Sequence, residues 1–259
     1  MKLLLIRHGD PDYVIDSLTE KGHREAQLLA EKMKNVPVKD FYVSPLGRAR
    51  ATADYTLKKV GRKATVLDWM EEFPAFLNPQ ESQGLKNAYG THKNNQNRVI
   101  WDMVPEYWTN HPEFCTKDGW RSTEAAQMSN MPALYDRVAK GLDELLTSHG
   151  YHREGNMYRT EKGNEDTIAL YCHFGVSCVM LSYLWGISPF ILWHSLMMAP
   201  TSVTELVTEE REEGKVFFRA TRIGDISHLY AGGEEPAFAG RFCETYDKWR
   251  NPKRFIRAF

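Results

Sequence analysis

The sequence predicts an α/β fold: a three-layer sandwich with a central, mostly parallel sheet, helices on both faces, and a cap insertion. Three observations predict it. Lys2 to Ile6 is a continuous apolar run that gives way to Gly9 and Pro11, the pattern of a strand buried on both faces and closed by a loop. Strand and helix patterns then alternate, an order that packs a parallel sheet between helices. A second apolar run, Thr167-Ile168-Ala169-Leu170-Tyr171-Cys172, is again followed by a helical stretch.

After the first strand, Leu18-Thr19-Glu20-Lys21-Gly22 leads into a segment in which Ala26, Leu29, Ala30 and Met33 share one helical face. Phe41-Tyr42-Val43 is a second short strand, stopped by Ser44 and Pro45, and Arg48 to Leu57 restarts a helix. Val66-Leu67 is read as a third strand. From about Phe73 to Glu165 the chain turns aromatic and polar with weak periodicity, including Asn94-Asn95-Gln96-Asn97, although Met131 to Leu146 is clearly helical. Residues 73–130 are therefore read as a cap inserted into one domain that spans 1–259. Val176 to Leu184 is an apolar helix, and Thr204 to Thr208 with Val216 to Thr221 is spaced as a hairpin turning at Glu213-Gly214. The last segment, from Phe238, reads as helix until Asn251-Pro252. No internal repeat is visible.

At 259 residues the chain is long enough for a sizeable core. Its 33 basic and 34 acidic residues leave a net charge of -1, which points to neither nucleic acid nor a membrane surface as partner. Cys115, Cys172, Cys178 and Cys243 contain no Cys-x-x-Cys pair, so reduced structural thiols are expected. The run from Leu3 to Ile6 is too short for a signal-peptide core, and no segment is apolar enough to span a bilayer. A cytoplasmic location is the default. His23, His92, His111, His149, His152 and His194 lack partners at metal-ligand spacing beyond the loose His149 and His152 pair, which reads as an exposed loop, and no metal or cofactor is expected.

The chemistry concentrates at strand ends. His8 and His173 directly follow the two most apolar strands, each with a glycine just beyond, and ligands in open α/β sheets collect at the carboxyl ends of strands. Arg7 and Arg48 add two cations at the same end. Two arginines with two histidines describe a pocket for a dianion such as a phosphoryl group.

The blocks Leu5-Ile6-Arg7-His8-Gly9, Leu18-Thr19-Glu20-Lys21-Gly22, Ser44-Pro45-Leu46-Gly47-Arg48-Ala49-Arg50-Ala51-Thr52-Ala53 and Cys172-His173-Phe174-Gly175 occur in an order that resembles the histidine phosphatase superfamily. That superfamily includes the cofactor-dependent phosphoglycerate mutases. The resemblance covers roughly the first 70 residues and the stretch around His173, with fainter support from Asp225-Ile226-Ser227-His228-Leu229. It implies that His8 attacks phosphorus and becomes a phosphohistidine, while Arg7, Arg48 and His173 hold the equatorial oxygens. It also implies a glutamate after the third strand that protonates the leaving oxygen. In Trp69-Met70-Glu71-Glu72-Phe73, Glu72 is the first choice and Glu71 the alternative.

Several residues carry ordinary readings beside functional ones. Arg50 is expected to be a surface residue, and His228 to pack beneath the sheet or touch the site. Trp101, Tyr107, Trp108 and Trp120 are read first as packing of the insertion and second as pocket lining. The basic tail from Lys248 to Arg257 is a solvated helix end or a dock for an anionic partner. Three functions fit: a phosphomonoester hydrolase, a phosphoglycerate mutase, and a silent phosphate-ligand binder. Gly9 is followed by Asp10-Pro11-Asp12-Tyr13 where mutases carry a longer loop with a Trp-Asn pair, and Glu72 is followed by Phe73 rather than a basic residue. The expected protein is a metal-independent histidine-type acid phosphatase whose small phosphorylated substrate is selected by the cap. Oligomeric state stays open, a homodimer included.

Overall fold

The computed structural model describes residues 1–90, 97–239 and 241. Its sheet contains eight strands: β1 (Lys2–Arg7), β2 (Val38–Val43), β3 (Ala64–Val66), β4 (His152–Glu154), β5 (Met157–Arg159), β6 (Thr167–Cys172), β7 (Val203–Glu212) and β8 (Lys215–Asp225). Their order across the sheet is β3-β2-β6-β1-β7-β8-β5-β4. The longer helices are α1 (Glu20–Met33), α2 (Gly47–Val60), α3 (Met131–Ser148), α4 (Phe174–Trp185) and α5 (Pro189–Ser195), with a short α6 (Ser227–Ala231).

The apolar run of β1 is explained by burial from two sides. Leu3 and Leu5 point into a core shared with Val138 and Leu142 of α3, Val176 and Val179 of α4 and Phe190 of α5. Leu4 and Ile6 point the other way, to Leu29 and Met33 of α1 and Ala49 and Ala53 of α2. Successive side chains of a strand face opposite sides, so a strand with no solvated face needs an apolar residue at every position.

The α/β class and helices on both faces are as expected, but the sheet is mixed. Pairing is parallel from β3 through β2 and β6 to β1. It is antiparallel from β1 outward, because the β7–β8 hairpin docks on β1 and extends to β5 and β4. The hairpin turns at Glu213-Gly214 as anticipated, and the third strand starts two residues before and ends one residue before the expected Val66-Leu67. Strands β4 and β5 were not anticipated. Each has three residues, mostly exposed, and so carries no alternating apolar signal.

Between β3 and α3 the described chain forms short elements only. Phe76–Leu77 pairs with Arg98–Val99, and two five-residue helices follow at Pro105–Thr109 and Glu124–Met128. The expected helix at Met131 to Leu146 is α3. His92, Cys243, most of the expected C-terminal helix and the basic tail lie outside the described residues, as do Asn94 to Gln96.

Glu25 of α1 is fully buried, and its carboxylate accepts backbone N–H groups from Asp10 (2.9 Å) and Ala237 (3.0 Å). Burial outweighs these bonds and lifts its pKa from 4.5 to about 7. The folded state thus keeps a proton that the unfolded chain releases near 4.5, so stability falls as pH rises from 4.5 to 7. The scale is on the order of 3 kcal/mol. Denaturant unfolding at pH 5 and pH 8 is expected to show this loss, and the uncharged Glu25→Gln to show a smaller one. An equal slope in both proteins would assign the pH dependence to other groups.

Candidate active site

The parallel register assembles the site. Arg7 pairs with Cys172 across β1 and β6, so the residues that follow, His8 and His173, leave the sheet side by side. Their ring centroids lie 5.0 Å apart, and the His8 N–H donates to the Cys172 carbonyl at 3.0 Å. On the other side of β6, Val43 pairs with Tyr171, which brings Ser44 beside the same point. The Ser44 hydroxyl lies 2.7 Å from His173 Nε2. Arg7, His8, Arg48 and His173 are all buried.

His8 is held in one tautomer. Its Nδ1 donates to the Gly9 carbonyl at 2.7 Å, which leaves Nε2 unprotonated, with its lone pair as an acceptor. Arg48 Nε points at that Nε2 from 3.4 Å. Burial, then the charges of Arg7 and Arg48, keeps the His8 imidazole well below its ordinary 6.5. His173 is lowered by burial and by the same neighbours. Both rings are therefore neutral at pH 7. Arg7 Nε and His173 Nδ1 are buried with no hydrogen-bond partner in the chain, so the centre offers unused polar atoms to an anion.

The loop after β1 is locked by the motif that begins α1. Thr19 caps the helix, its hydroxyl oxygen accepting from the Gly22 N–H at 3.0 Å and donating to Asp10 at 2.7 Å. A Cβ on Gly9 would lie 2.8 Å from the Gly22 carbonyl oxygen, and one on Gly22 would lie 2.2 Å from that of Asp10. Two glycines are needed because two backbones touch. The Gly9 N–H donates to Thr52 of α2, whose hydroxyl donates back to the Arg48 carbonyl.

Asp16 performs the capping of α2 that Leu46 cannot. One of its oxygens accepts from the Gly47 N–H and the other from Arg48 Nη1, each at 2.6 Å. The Tyr13 ring lies over the Arg48 guanidinium at 5.3 Å. Nothing in the spacing of Asp10 to Asp16 signalled these contacts, since they depend on the loop folding back onto the start of α2.

Glu72 and Glu71 separate clearly. Glu72 Oε1 accepts from the Phe73 N–H at 2.9 Å and the Val176 N–H at 3.1 Å, at the amino end of α4 beside His173. Burial raises its pKa above 4.5 against the pull of those N–H groups and of Arg48 and Arg7. Glu71 turns away and pairs with Arg137 of α3. Arg50 is exposed. His228 is buried, and its Nε2 lies 3.0 Å from the Thr201 hydroxyl, while the Thr201 N–H donates to the His8 carbonyl. His228 thus braces the backbone of His8 from beneath and stays out of the cradle.

Among the described residues, no group of three or more His, Cys, Asp or Glu is placed to hold a metal, and no helix is long and apolar enough to cross a membrane. Two open surface hollows, of about 570 and 600 Å3, lie elsewhere and are lined by residues such as Asp143 and Tyr183, or Glu209 and Arg219.

Residues 3–220 match the histidine phosphatase superfamily, branch 1. The chain belongs to that superfamily. Within it, the chain is 43% identical over 60 residues to a 2,3-bisphosphoglycerate-dependent phosphoglycerate mutase of Thermoplasma acidophilum, covering 19% of this chain and 30% of that protein. A mutase of the same name from Bartonella tribocorum is 39% identical over 71 residues, covering 23% of this chain and 34% of its own. The chain thus matches about a third of the length of these curated relatives. Solved structures of the same fold include a phosphoserine phosphatase of Entamoeba histolytica in complex with phosphoserine (18% identity, TM-score 0.55, 88% of this chain and 98% of that one). The alpha-ribazole phosphatase of Shigella flexneri is equally similar, with 18% identity, TM-score 0.55, and 87% and 97% coverage. The histidine phosphatase fold therefore extends well beyond the segment that matches the mutases.

Proposed function

We propose that this histidine phosphatase superfamily member is a phosphomonoester hydrolase that works through a phosphohistidine at His8. The observation that carries the reading is the state of His8: a neutral ring, its proton committed to the Gly9 carbonyl, with an unprotonated Nε2 that accepts from Arg48 beside His173. In the first step Nε2 attacks phosphorus and the ester P–O bond breaks. Glu72 gives its proton to the leaving alkoxide, and Arg7, Arg48 and His173 take the charge that spreads over the equatorial oxygens. In the second step water attacks the phosphohistidine, Glu72 recovers a proton from it, and inorganic phosphate leaves. Each step uses side chains of the chain and water. Residues 73–130 are assigned the role of a cap that selects the substrate.

Mutase activity is the second reading, favoured by the identity of the two curated relatives. The loop after Gly9 argues for the hydrolase: Tyr13 and Asp16 engage Arg48, so this loop carries groups unlike those expected of a mutase. Phosphate release from a panel of monoesters, measured beside isomerisation of 3-phosphoglycerate with added 2,3-bisphosphoglycerate, tests the choice. Hydrolysis is expected to dominate. Isomerisation that outruns hydrolysis would replace the hydrolase by the mutase.

A further inference from the structure

We propose that the substrate carries a flat, uncharged apolar group beside its ester oxygen, gripped by Tyr13, Trp101 and Phe174. This names a substrate class for the site and rests on the phosphomonoester reading above.

Each cation of the cradle has an aromatic ring against it. The Phe174 ring lies 5.9 Å from the Arg7 guanidinium carbon, and the Tyr13 ring 5.3 Å from that of Arg48. The third ring stands on the side of Glu72. A Cβ built on Gly175 would lie 2.7 Å from Glu72 Oε1 and 2.9 Å from the outer edge of the Trp101 indole. Carboxylate and indole therefore meet over one glycine, where any larger residue would push them apart. Trp101 is held there by Phe73 and Trp193, at centroid distances of 6.2 and 5.6 Å, and Trp193 is fixed in turn by donating its N–H to the Gly175 carbonyl.

Core packing accounts for these three rings only in part: Trp101 and Phe174 lean on the main core and still keep surface open, and Tyr13 belongs to neither core cluster. Trp120, Phe73 and Phe114 are fully buried, as packing aromatics should be. Tyr13 is 41% exposed, and Trp101 and Phe174 are part-exposed. Rigid rings that keep an open face around a polar centre supply contact area at little entropic cost.

The charges around the site complete the case. Among the described residues, Arg7 and Arg48 are the cations that act most strongly on His8, His173 and Glu72. Both face the phosphoryl position. Arg98, three residues before Trp101, is committed to Asp102 at 3.3 Å and stacks on Tyr89, and Arg137 is committed to Glu71. A second anionic group on the substrate, such as a carboxylate, meets aromatic carbon where it needs a counter-charge.

The test compares three alkyl monoesters, all with poor leaving groups so that the chemical step is matched: 2-naphthylmethyl phosphate, ethyl phosphate and phosphoserine. The naphthyl ester is expected to have a kcat/KM higher than the others by about tenfold or more. Tyr13→Ala, on an exposed loop where folding is safe, is expected to lose most of that preference through KM, and Tyr13→Phe to retain it. Trp101→Ala should lose more on the naphthyl ester than on ethyl phosphate. Phosphoserine or ethyl phosphate turned over as well as the naphthyl ester would overturn the proposal, as would a preference unchanged in Tyr13→Ala. Calorimetry of the wild type with 2-naphthylmethylphosphonate and ethylphosphonate separates the two readings. Tighter binding of the aryl ligand without hydrolysis of any ester supports the aromatic grip and sinks the hydrolase. Equal affinities sink the grip alone if esters are hydrolysed.

Discussion

His8→Ala is expected to lower turnover of every phosphate monoester by roughly 10^4-fold or more, the scale on which removal of a covalent nucleophile registers. No neighbour is placed to substitute. With the Ser44 hydroxyl donating to His173 Nε2 at 2.7 Å, the unpartnered His173 Nδ1 carries the ring proton and has no lone pair, and Arg7 and Arg48 are cations without one to give. The fold should tolerate the change, because the His8 side chain bonds locally, to its own neighbour Gly9 and to Arg48. Thermal unfolding of the variant separates lost chemistry from lost structure. Wild-type protein quenched in alkali during turnover should carry one phosphoryl group on the peptide that contains His8, detected by mass spectrometry. Hydrolysis undiminished in a folded His8→Ala protein would remove the phosphohistidine from the mechanism.

Glu72→Gln is expected to be the next most damaging change, with a loss of about 10^2- to 10^4-fold on alkyl esters. An aryl ester such as p-nitrophenyl phosphate, whose leaving group needs little proton assistance, should lose far less. The substitution is nearly silent for structure. Both backbone N–H groups that hold Glu72 donate to the same oxygen, Oε1, and a glutamine keeps that acceptor while losing the ionisable proton. The sign of the pH dependence follows from the raised pKa. A general acid must hold its proton, and burial keeps the Glu72 proton on above the ordinary carboxylate range. The kcat for alkyl esters should therefore fall as pH rises through that pKa, and the fall should vanish in Glu72→Gln. Glu71→Gln breaks only a half-exposed ion pair with Arg137 and is expected to change the rate within about fivefold. A larger loss in Glu71→Gln than in Glu72→Gln would reverse the assignment.

The branch of the fold that builds the site was legible because its signals are local. A strand buried on both faces has to be apolar throughout, so β1 and β6 stood out, and the histidines that follow them could be placed at the carboxyl ends of both strands from the sequence alone. The same logic failed for β4 and β5, whose three-residue, mostly exposed segments have no burial to advertise. It also misjudged the sheet as mostly parallel. The direction in which the β7–β8 hairpin docks on β1 is a tertiary choice that leaves no mark in the hairpin itself.

At the candidate site, the sequence by itself, through strand ends and the family resemblance, determined the proposed cast: Arg7, His8, Arg48, His173 and a glutamate pair after the third strand. It could not decide between Glu71 and Glu72, because adjacent residues differ by a turn of the backbone and only packing says which way each faces. The tertiary structure put Glu72 on the amino end of α4 and Glu71 on Arg137. It alone brought in Ser44, Thr52, Asp16 and Tyr13, and turned His228 into a brace for Thr201. Their roles come from contacts between segments far apart in the chain, which no residue type or spacing encodes. The place of the proposed nucleophile was readable because it follows a strand buried on both faces, and its role was implied by the family resemblance. The surroundings that tune it and choose its substrate depend on loops meeting in space.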